Sequence, residues 1–248
     1  MSTPETILEL RGLKRTFGSK IVHAGVDLQL RDQELLALFG GSGTGKSLIL
    51  RSIIGLEVPD AGEILWHGRS LSRLRERDWI PIRKKIAYVF QNGALFDSLS
   101  VYENLAYPLR AHTSLSESEI QAKVRLMLAL VAMPGAESLL PGELSGGMQK
   151  RAGLARAMIL EPEILLFDEP TAGLDPTNTH RFVQNILELK SRGLTGIFVT
   201  HDIASALAVA DRIAILHQGK IHCTESVESI RNSQDPIVRS FLFPEESL

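Results

Sequence analysis

Residues 40–47 read Gly40-Gly41-Ser42-Gly43-Thr44-Gly45-Lys46-Ser47, which matches the pattern G-x-x-x-x-G-K-[ST]. The apolar run Leu35–Phe39 precedes this stretch, and apolar residues with helical spacing follow it. Glycines let backbone N–H groups point into such a loop, and the following helix N-terminus adds partial positive charge. A glycine-rich turn that contains Lys-Ser by chance is the alternative. The agreement of motif and context favours a phosphate-binding loop.

Two side chains of this loop carry specific chemistry. We expect Lys46 to reach the β- and γ-phosphates of a nucleotide, and Ser47 Oγ to be a ligand for Mg²⁺. The rest of the loop is expected to bind phosphate mainly through its backbone. Its members are Gly40, Gly41, Ser42, Gly43, Thr44 and Gly45.

A second apolar run, Ile164–Phe167, ends in the acids Asp168 and Glu169. Acids at the carboxyl end of a buried strand lie where open α/β sheets bind ligands. Asp168 is suited to hold Mg²⁺, commonly through water, and Glu169 to polarise the water that attacks a γ-phosphate. A solvated acid pair is the alternative, and the loop upstream favours the catalytic interpretation.

The wider pattern predicts an α/β fold in which a helical block interrupts a strand-rich core. The first 91 residues carry short β-type runs, and residues 92–160 are mainly helical in pattern. In that block, Ser116 and Glu119 form a capping box, and Pro134-Gly135 is expected to end the helix. Residues 161–222 return to alternating strands and helices, including an apolar strand at Ile197–Thr200.

Composition and the lengths of the apolar runs limit the functions that this chain can have. The net charge of −2 gives no electrostatic case for nucleic-acid binding, and the single cysteine fits a reducing compartment. No secretory signal is visible at the N-terminus. The longest apolar run, Leu126–Met133, is far shorter than the roughly 20 residues of a membrane-spanning helix. We therefore expect a soluble, cytoplasmic chain, for which any membrane role would come through a partner.

The stretch Leu144–Gln149 reads LSGGMQ and resembles the LSGGQ signature of ABC ATPases, with Met148 at the family's usual Gln. Ser145 as the N-cap of a helix Met148–Ile159 is a compatible structural interpretation, because a capped, glycine-lined helix start binds anions. The resemblance implies that Ser145, Gly146 and Gly147 bind the ATP held by a second copy, in a head-to-tail dimer.

Other landmarks of the family occur in the same order. Gln91 resembles the Q-loop glutamine, which senses Mg²⁺ and water, and Asp175, in Ala172-Gly173-Leu174-Asp175, resembles the D-loop residue. His201 resembles the switch histidine that contacts the γ-phosphate, although a lone histidine at a strand end is more often structural. Phe17 lies where the family stacks an aromatic ring on adenine, with a simple core residue as the alternative.

The resemblance spans residues 6–222 and implies a P-loop NTPase (ABC ATPase) core with an N-terminal antiparallel β part and an inserted helical subdomain. It implies one ABC ATPase domain over residues 1–248, with a nucleotide-binding core at 1–91 and 161–222. The helical subdomain would be 92–160 and the tail 223–248. The implied activity is ATP hydrolysis coupled to transport, with catalysis by Glu169, His201 and Gln91 and with metal contacts from Ser47, Gln91 and Asp168.

Two local matches narrow the resemblance within the family. The segment 93–110 carries GALF, then Val101, Asn104 and AYPLR, and residues 235–242 read DPIVRSFL. Both resemble the Mla/Mce-associated ATPases, which drive phospholipid or other lipid traffic. The implied partners are a membrane permease, an Mce-domain protein and a small STAS-type subunit, with the chain peripheral on the inner membrane.

Three alternatives remain. An ATPase of an importer for a small solute, such as an amino acid, would carry the same motifs. A non-transport ABC ATPase of DNA repair or translation usually has long coiled-coil insertions, and this sequence lacks a long heptad stretch. A protein that senses ATP without hydrolysing it would be favoured if Glu169 or His201 were replaced by other residues, and here both are present. We expect the apolar tail residues to dock on the parent domain, with a contact to a neighbouring subunit as the alternative.

Overall fold

The computed structural model describes residues 5–242. Within them the strands are β1 (Thr6–Phe17), β2 (Lys20–Arg31), β3 (Leu35–Gly40), β4 (Ala61–Trp66), β5 (Arg69–Ser70), β6 (Ile86–Val89), β7 (Ile164–Asp168), β8 (Gly196–Val199), β9 (Arg212–His217) and β10 (Lys220–Ser226). The helices are α1 (Lys46–Ile53), α2 (Glu76–Lys85), α3 (Val101–His112), α4 (Glu117–Leu130), α5 (Gly146–Met158), α6 (Pro176–Ser191), α7 (Ile203–Val209), α8 (Val227–Arg231) and α9 (Pro236–Leu242). A short 3-10 turn covers Pro141–Glu143.

The strands form two sheets. The larger sheet has the order β10-β9-β3-β8-β7-β6, in which all neighbours are parallel except the antiparallel edge strand β10. The smaller sheet has the order β2-β1-β4-β5 and is antiparallel throughout. The mixed α/β class and the antiparallel N-terminal part predicted from sequence are therefore confirmed.

Strands β3, β7 and β8 are buried along their whole length because both faces of the larger sheet are covered. Alternate residues of β3 join different cores. Leu35 and Ala37 pack with helices α3 to α6, whereas Leu36 and Leu38 pack with α1 and the antiparallel sheet. This arrangement places the carboxyl ends of the three strands side by side, so the segments that follow them meet at one edge.

The helical stretch differs from the sequence prediction at two boundaries. Ser116 and Glu119 form the expected capping box, but α4 ends at Leu130, ahead of Pro134-Gly135. Helix α5 begins at Gly146 rather than Met148, because the Ser145 hydroxyl accepts the Met148 N–H and thereby places both glycines in the first turn. Ser145 as an N-cap is confirmed.

The C-terminal segment docks on the parent fold as far as it is described. Three of its apolar side chains are buried in the same hydrophobic core as helices α3 to α6, namely Ile230, Val238 and Leu242. His222 Nε2 lies 2.8 Å from Asp235 Oδ2, which ties strand β10 to the start of α9. The predicted tail 223–248 extends beyond Leu242, and its last six residues lie outside the described part.

The segment after Gln91 has a mixed character. Val101 is fully buried, whereas the rings of Phe96 and Tyr107 are about half exposed and lie 5.8 Å apart, edge to face. The buried Asn104 side chain accepts the Phe96 N–H and donates to the carbonyl of Leu99, which holds the preceding loop against α3. Across residues 5–242, no helix combines the length and apolar character needed to cross a bilayer.

Candidate nucleotide-binding site

The loop 40–47 connects β3 to α1 and is folded around its own lysine. Lys46 Nζ donates to the carbonyl oxygens of Gly40 and Gly41 at 2.9 and 3.0 Å. Thr44 Oγ1 also donates to Gly41 O, at 2.8 Å. Helix α1 begins at Lys46, so the N–H groups of its first turn have no acceptor within the helix. The loop therefore presents a cation and free backbone donors, which is what a phosphate group requires.

Gly45 is required by its surroundings as well as by its backbone. Its φ is 95°, and a Cβ at this position would lie 2.6 Å from His23 Nε2. His23 is almost fully buried beneath the loop, where its Nε2 lies 3.1 Å from Gly45 O, and burial lowers its pKa. The antiparallel sheet thus supports the loop through one buried histidine of β2.

Asp168, at the end of β7, connects the loop to the neighbouring strands. Its Oδ1 accepts the Ser47 hydroxyl and its Oδ2 accepts the Tyr88 hydroxyl, each at 2.6 Å. Burial, and secondly the Asp168 carboxylate, raise the pKa of Tyr88, so the phenol keeps its proton. Ser47 and Asp168 present a hydroxyl and a carboxylate oxygen in contact, and Mg²⁺ in phosphate sites prefers oxygen ligands of this kind. The donor set therefore fits Mg²⁺.

Glu169 follows Asp168 in the left-handed backbone region, with a φ of 49°. Its Oε1 lies 2.9 Å from His201 Nε2, and its Oε2 accepts the His201 N–H at 3.1 Å. Burial lowers the pKa of Lys46, and the carboxylates of Glu169 and Asp168 partly oppose this effect. The structure therefore brings together one cation, two carboxylates and one imidazole at the ends of β3, β7 and β8.

Lys150 also lies close to this cluster, and sequence reasoning did not find it. It is buried on α5, and its Nζ donates to the carbonyl oxygens of Pro170 and Ala172, the first at 2.9 Å. Burial lowers its pKa, and Glu169 partly opposes this shift. The available signal was a lysine in a helix of mostly small and apolar residues, with Gly153 three residues further along the same face.

The residues that resemble the signature lie at the N-terminus of α5, and within residues 5–242 no hydrogen bond joins them to Lys46, Glu169 or His201. Ser145 and Gly146 are exposed, whereas Gly147 is buried against Asn178. Asn178 Nδ2 donates to Asp175 Oδ2 at 2.5 Å, and the Asp175 side chain caps α6. Asn178 therefore links the exposed start of α5 to Asp175, and together they form a second surface of the chain.

Phe17 and Gln91 are both exposed. The Phe17 ring is 49% exposed at the end of β1, with the Arg15 guanidinium 4.7 Å from its centroid, so Phe17 is not a core residue. Arg15 in turn pairs with Glu57 and Asp60. Within residues 5–242, no hydrogen bond joins Gln91 to Ser47 or Asp168. Their roles toward adenine and Mg²⁺ remain predictions.

The fold and the loop together define a nucleotide-binding protein of the P-loop class. The ABC transporter family model matches residues 23–172. The chain belongs to the ABC transporter family, and the fold predicted from the sequence motifs is confirmed.

Two relatives differ in their stated substrates. The "Probable ribonucleotide transport ATP-binding protein mkl" of Mycobacterium tuberculosis (H37Rv) is 42% identical over 95% of this chain, and the match covers 66% of that protein. The "Intermembrane phospholipid transport system ATP-binding protein MlaF" of Escherichia coli K12 is 39% identical over 95% of this chain and 88% of its own length. MlaF of Haemophilus influenzae is 37% identical over 96% and 90%.

Solved structures agree with this assignment. The dimeric post-hydrolysis state of the ATP-binding cassette MJ0796, bound to ADP and Pi, has a TM-score of 0.81 and 30% identity. The match covers 89% of this chain and 99% of that one. CbiO1 from Clostridium perfringens, part of the ABC transporter complex cbiONQ, has a TM-score of 0.84 and 26% identity over 96% of both chains.

Proposed function

We propose that this chain is the ATP-binding and ATP-hydrolysing subunit of an ABC transporter that moves phospholipid or another lipid. The observation that carries the ATPase activity is the contact of 2.6 Å between Ser47 of the phosphate loop and Asp168. It brings the phosphate-binding element to the strand end where Glu169 stands, so one site can bind phosphate and activate water.

We assign the following roles from this placement and from the family resemblance of the motifs. The loop 40–47 and Lys46 bind the β- and γ-phosphates, and Phe17 stacks on adenine through its exposed ring. Glu169 accepts the proton of the attacking water, while His201 orients the Glu169 carboxylate and contacts the γ-phosphate. Gln91 completes the site from its exposed position after β6. Ser47, Asp168 and Gln91 hold Mg²⁺, which neutralises phosphate charge when bound.

The functional unit is a head-to-tail dimer. Ser145 and Gly146 are exposed at the start of α5, with Gly147 buried behind them and Asp175 beside them. Within residues 5–242, no hydrogen bond joins these residues to the chain's own phosphate loop. Such a start binds anions, so it completes the site when the phosphates are held by a second copy. The MJ0796 cassette, 30% identical, is dimeric in its post-hydrolysis state.

The chain divides into parts with different tasks. We assign residues 1–91 and 161–222 to the nucleotide-binding core, 92–160 to the helical subdomain and 223–248 to the tail. The exposed rings of Phe96 and Tyr107 lie in the helical part and offer a surface for a membrane permease. The chain would thus work in the cytoplasm as a peripheral subunit on the inner membrane, with no role for nucleic acid.

The lipid assignment rests on the two MlaF relatives, which match this chain over 88% and 90% of their own length. An Mce-domain protein and a small STAS-type subunit would complete such a system. The name of the mycobacterial relative favours ribonucleotides as a second candidate substrate, although a third of that protein has no counterpart in the match.

Purification from the native membrane tests this part of the proposal. The chain is isolated in mild detergent, and its partners are identified by mass spectrometry. We expect a permease together with an Mce-domain protein. A permease with a soluble receptor for a nucleotide or an amino acid would contradict the lipid assignment and leave the ATPase assignment intact.

A further inference from the structure

The carboxylate of Asp168 is shared between two hydroxyl donors on opposite sides. Ser47, from the phosphate loop, donates to Oδ1, and Tyr88, from the edge strand β6, donates to Oδ2. Both bonds measure 2.6 Å, which is short for a neutral hydroxyl and typical of one that faces a charged carboxylate. Each oxygen of Asp168 therefore has a different partner.

Tyr88 is held in place by its surroundings. Strand β6 pairs in parallel with β7, with Tyr88 opposite Leu166, two residues before Asp168. The Tyr88 side chain is 9% exposed, and its ring lies 4.5 Å from that of Phe90. A buried ring on a paired strand cannot change rotamer freely, so the position of its hydroxyl is fixed.

We propose that Tyr88 is a positioning residue for the metal site, because its hydrogen bond to Oδ2 directs Oδ1 of Asp168 toward the Ser47 hydroxyl. The proposal rests on the proposed function, in which Ser47 and Asp168 hold Mg²⁺. Ser47 and Oδ1 of Asp168 would hold the ion or its water in place of their mutual hydrogen bond. The Tyr88 bond remains and keeps the carboxylate in one orientation.

The expected effect on Mg²⁺ binding can be judged from other residues that hydrogen-bond to a metal ligand and fix its orientation. Loss of such a partner weakens metal binding about 10-fold to 100-fold. Tyr88→Phe removes one oxygen and keeps the ring, so the packing of β6 is retained. The Tyr88 hydroxyl also interacts with Arg51 in α1. No hydrogen bond joins Tyr88 to residues 40–47 within the described part of the chain, so the phosphate loop keeps its own contacts in the variant.

The test compares nucleotide binding with and without metal in the full chain. The affinity of a fluorescent ATP analogue is measured in EDTA and then during a Mg²⁺ titration. For Tyr88→Phe we expect a rise of about 10-fold in the Mg²⁺ concentration at half-effect. We also expect the affinity in EDTA to stay within about twofold of the native value, since a folded phosphate loop binds the analogue without metal. Tyr102→Phe is the matched control, because the Tyr102 hydroxyl lies at the surface, 3.4 Å from Glu117, and its Mg²⁺ midpoint should not move.

Two results would overturn the proposal. One is a Mg²⁺ midpoint for Tyr88→Phe equal to that of the native chain. The other is an equal loss of affinity in EDTA and in Mg²⁺, which would show that Tyr88 supports the fold rather than the metal ligand. If the native chain bound no nucleotide in either condition, the proposed function itself would fail, and the role of Tyr88 with it.

Discussion

Helix α5 and the segment that follows Gln91 approach each other through two glycines, and substitution of Gly153 tests this contact. A Cβ on Gly153 would lie 2.5 Å from the Cα of Gly93 and 2.7 Å from its carbonyl oxygen, closer than real Cβ atoms approach. Both of these atoms belong to the backbone, so a rotamer change cannot relieve the clash. The segment after Gln91, or the helix, must move.

The size of the effect combines two opposing contributions. Overpacking a tight contact costs roughly 1–3 kcal/mol, and a backbone clash of this kind falls in the upper part of that range. Replacing glycine by alanine inside a helix contributes about 1 kcal/mol in the other direction. The free energy of unfolding of Gly153→Ala should therefore fall by about 1–2 kcal/mol, which lowers Tm by about 2–8 °C in a chain of this size.

Urea and thermal unfolding measure the effect, with Gly146→Ala as the matched control in the same helix. A Cβ on Gly146 meets nothing within 4 Å. This variant should equal the native chain or gain up to about 1 kcal/mol of stability. Equal stability changes for the two substitutions would refute the close contact between Gly153 and Gly93.

Three further predictions concern the site and its surroundings. Lys150→Met removes the ammonium group that holds the carbonyl oxygens of Pro170 and Ala172, just after Glu169. We expect kcat to fall on the order of 10-fold to 100-fold while KM for ATP changes little. An unchanged kcat would show that Lys150 does not position the segment after Glu169. Phe17→Ala should weaken ATP binding about 10-fold in equilibrium titrations, because the adenine base loses its stacking partner. The Tm should stay at the native value, and a large drop in Tm would show that Phe17 supports the fold instead. The backbone N–H of Asn178 lowers the pKa of Asp175, so this helix cap is complete above the ordinary value of 3.8 and is lost as pH falls through the lower folded pKa. Thermal melts between pH 5 and 2 should lose part of their pH dependence in Asp175→Asn, and identical profiles would exclude this contribution.

The central strands and the phosphate loop could be predicted because their signals are local. Strands β3, β7 and β8 are uniformly apolar because both faces of the sheet are covered, and the loop carries its own motif. Strands such as β4 and β10 gave no such signal. They are half exposed, and their pairing depends on partners far away in sequence, as between Leu10 and Ile64.

The supporting residues of the site escaped prediction for a related reason. Tyr88 contacts Asp168 only because β6 lies beside β7, an adjacency that joins residues 80 positions apart. Lys150 contacts the loop after Glu169 only because that loop turns back toward α5. The predicted start of α5 was two residues late because Gly146 and Gly147 have low helix propensity, which the Ser145 cap overcomes.

The variant Glu169→Gln tests most directly whether Glu169 is the base that accepts a proton from the attacking water. Glutamine keeps the size of the side chain and a hydrogen-bond acceptor for the His201 N–H, and it removes the proton acceptor. ATP hydrolysis and ATP binding are measured together, with the mass in solution determined by light scattering. We predict native ATP affinity, a fall in kcat of about 100-fold or more, and a stable dimer in the presence of ATP and Mg²⁺. Hydrolysis at the native rate would contradict the assignment of Glu169 as the base.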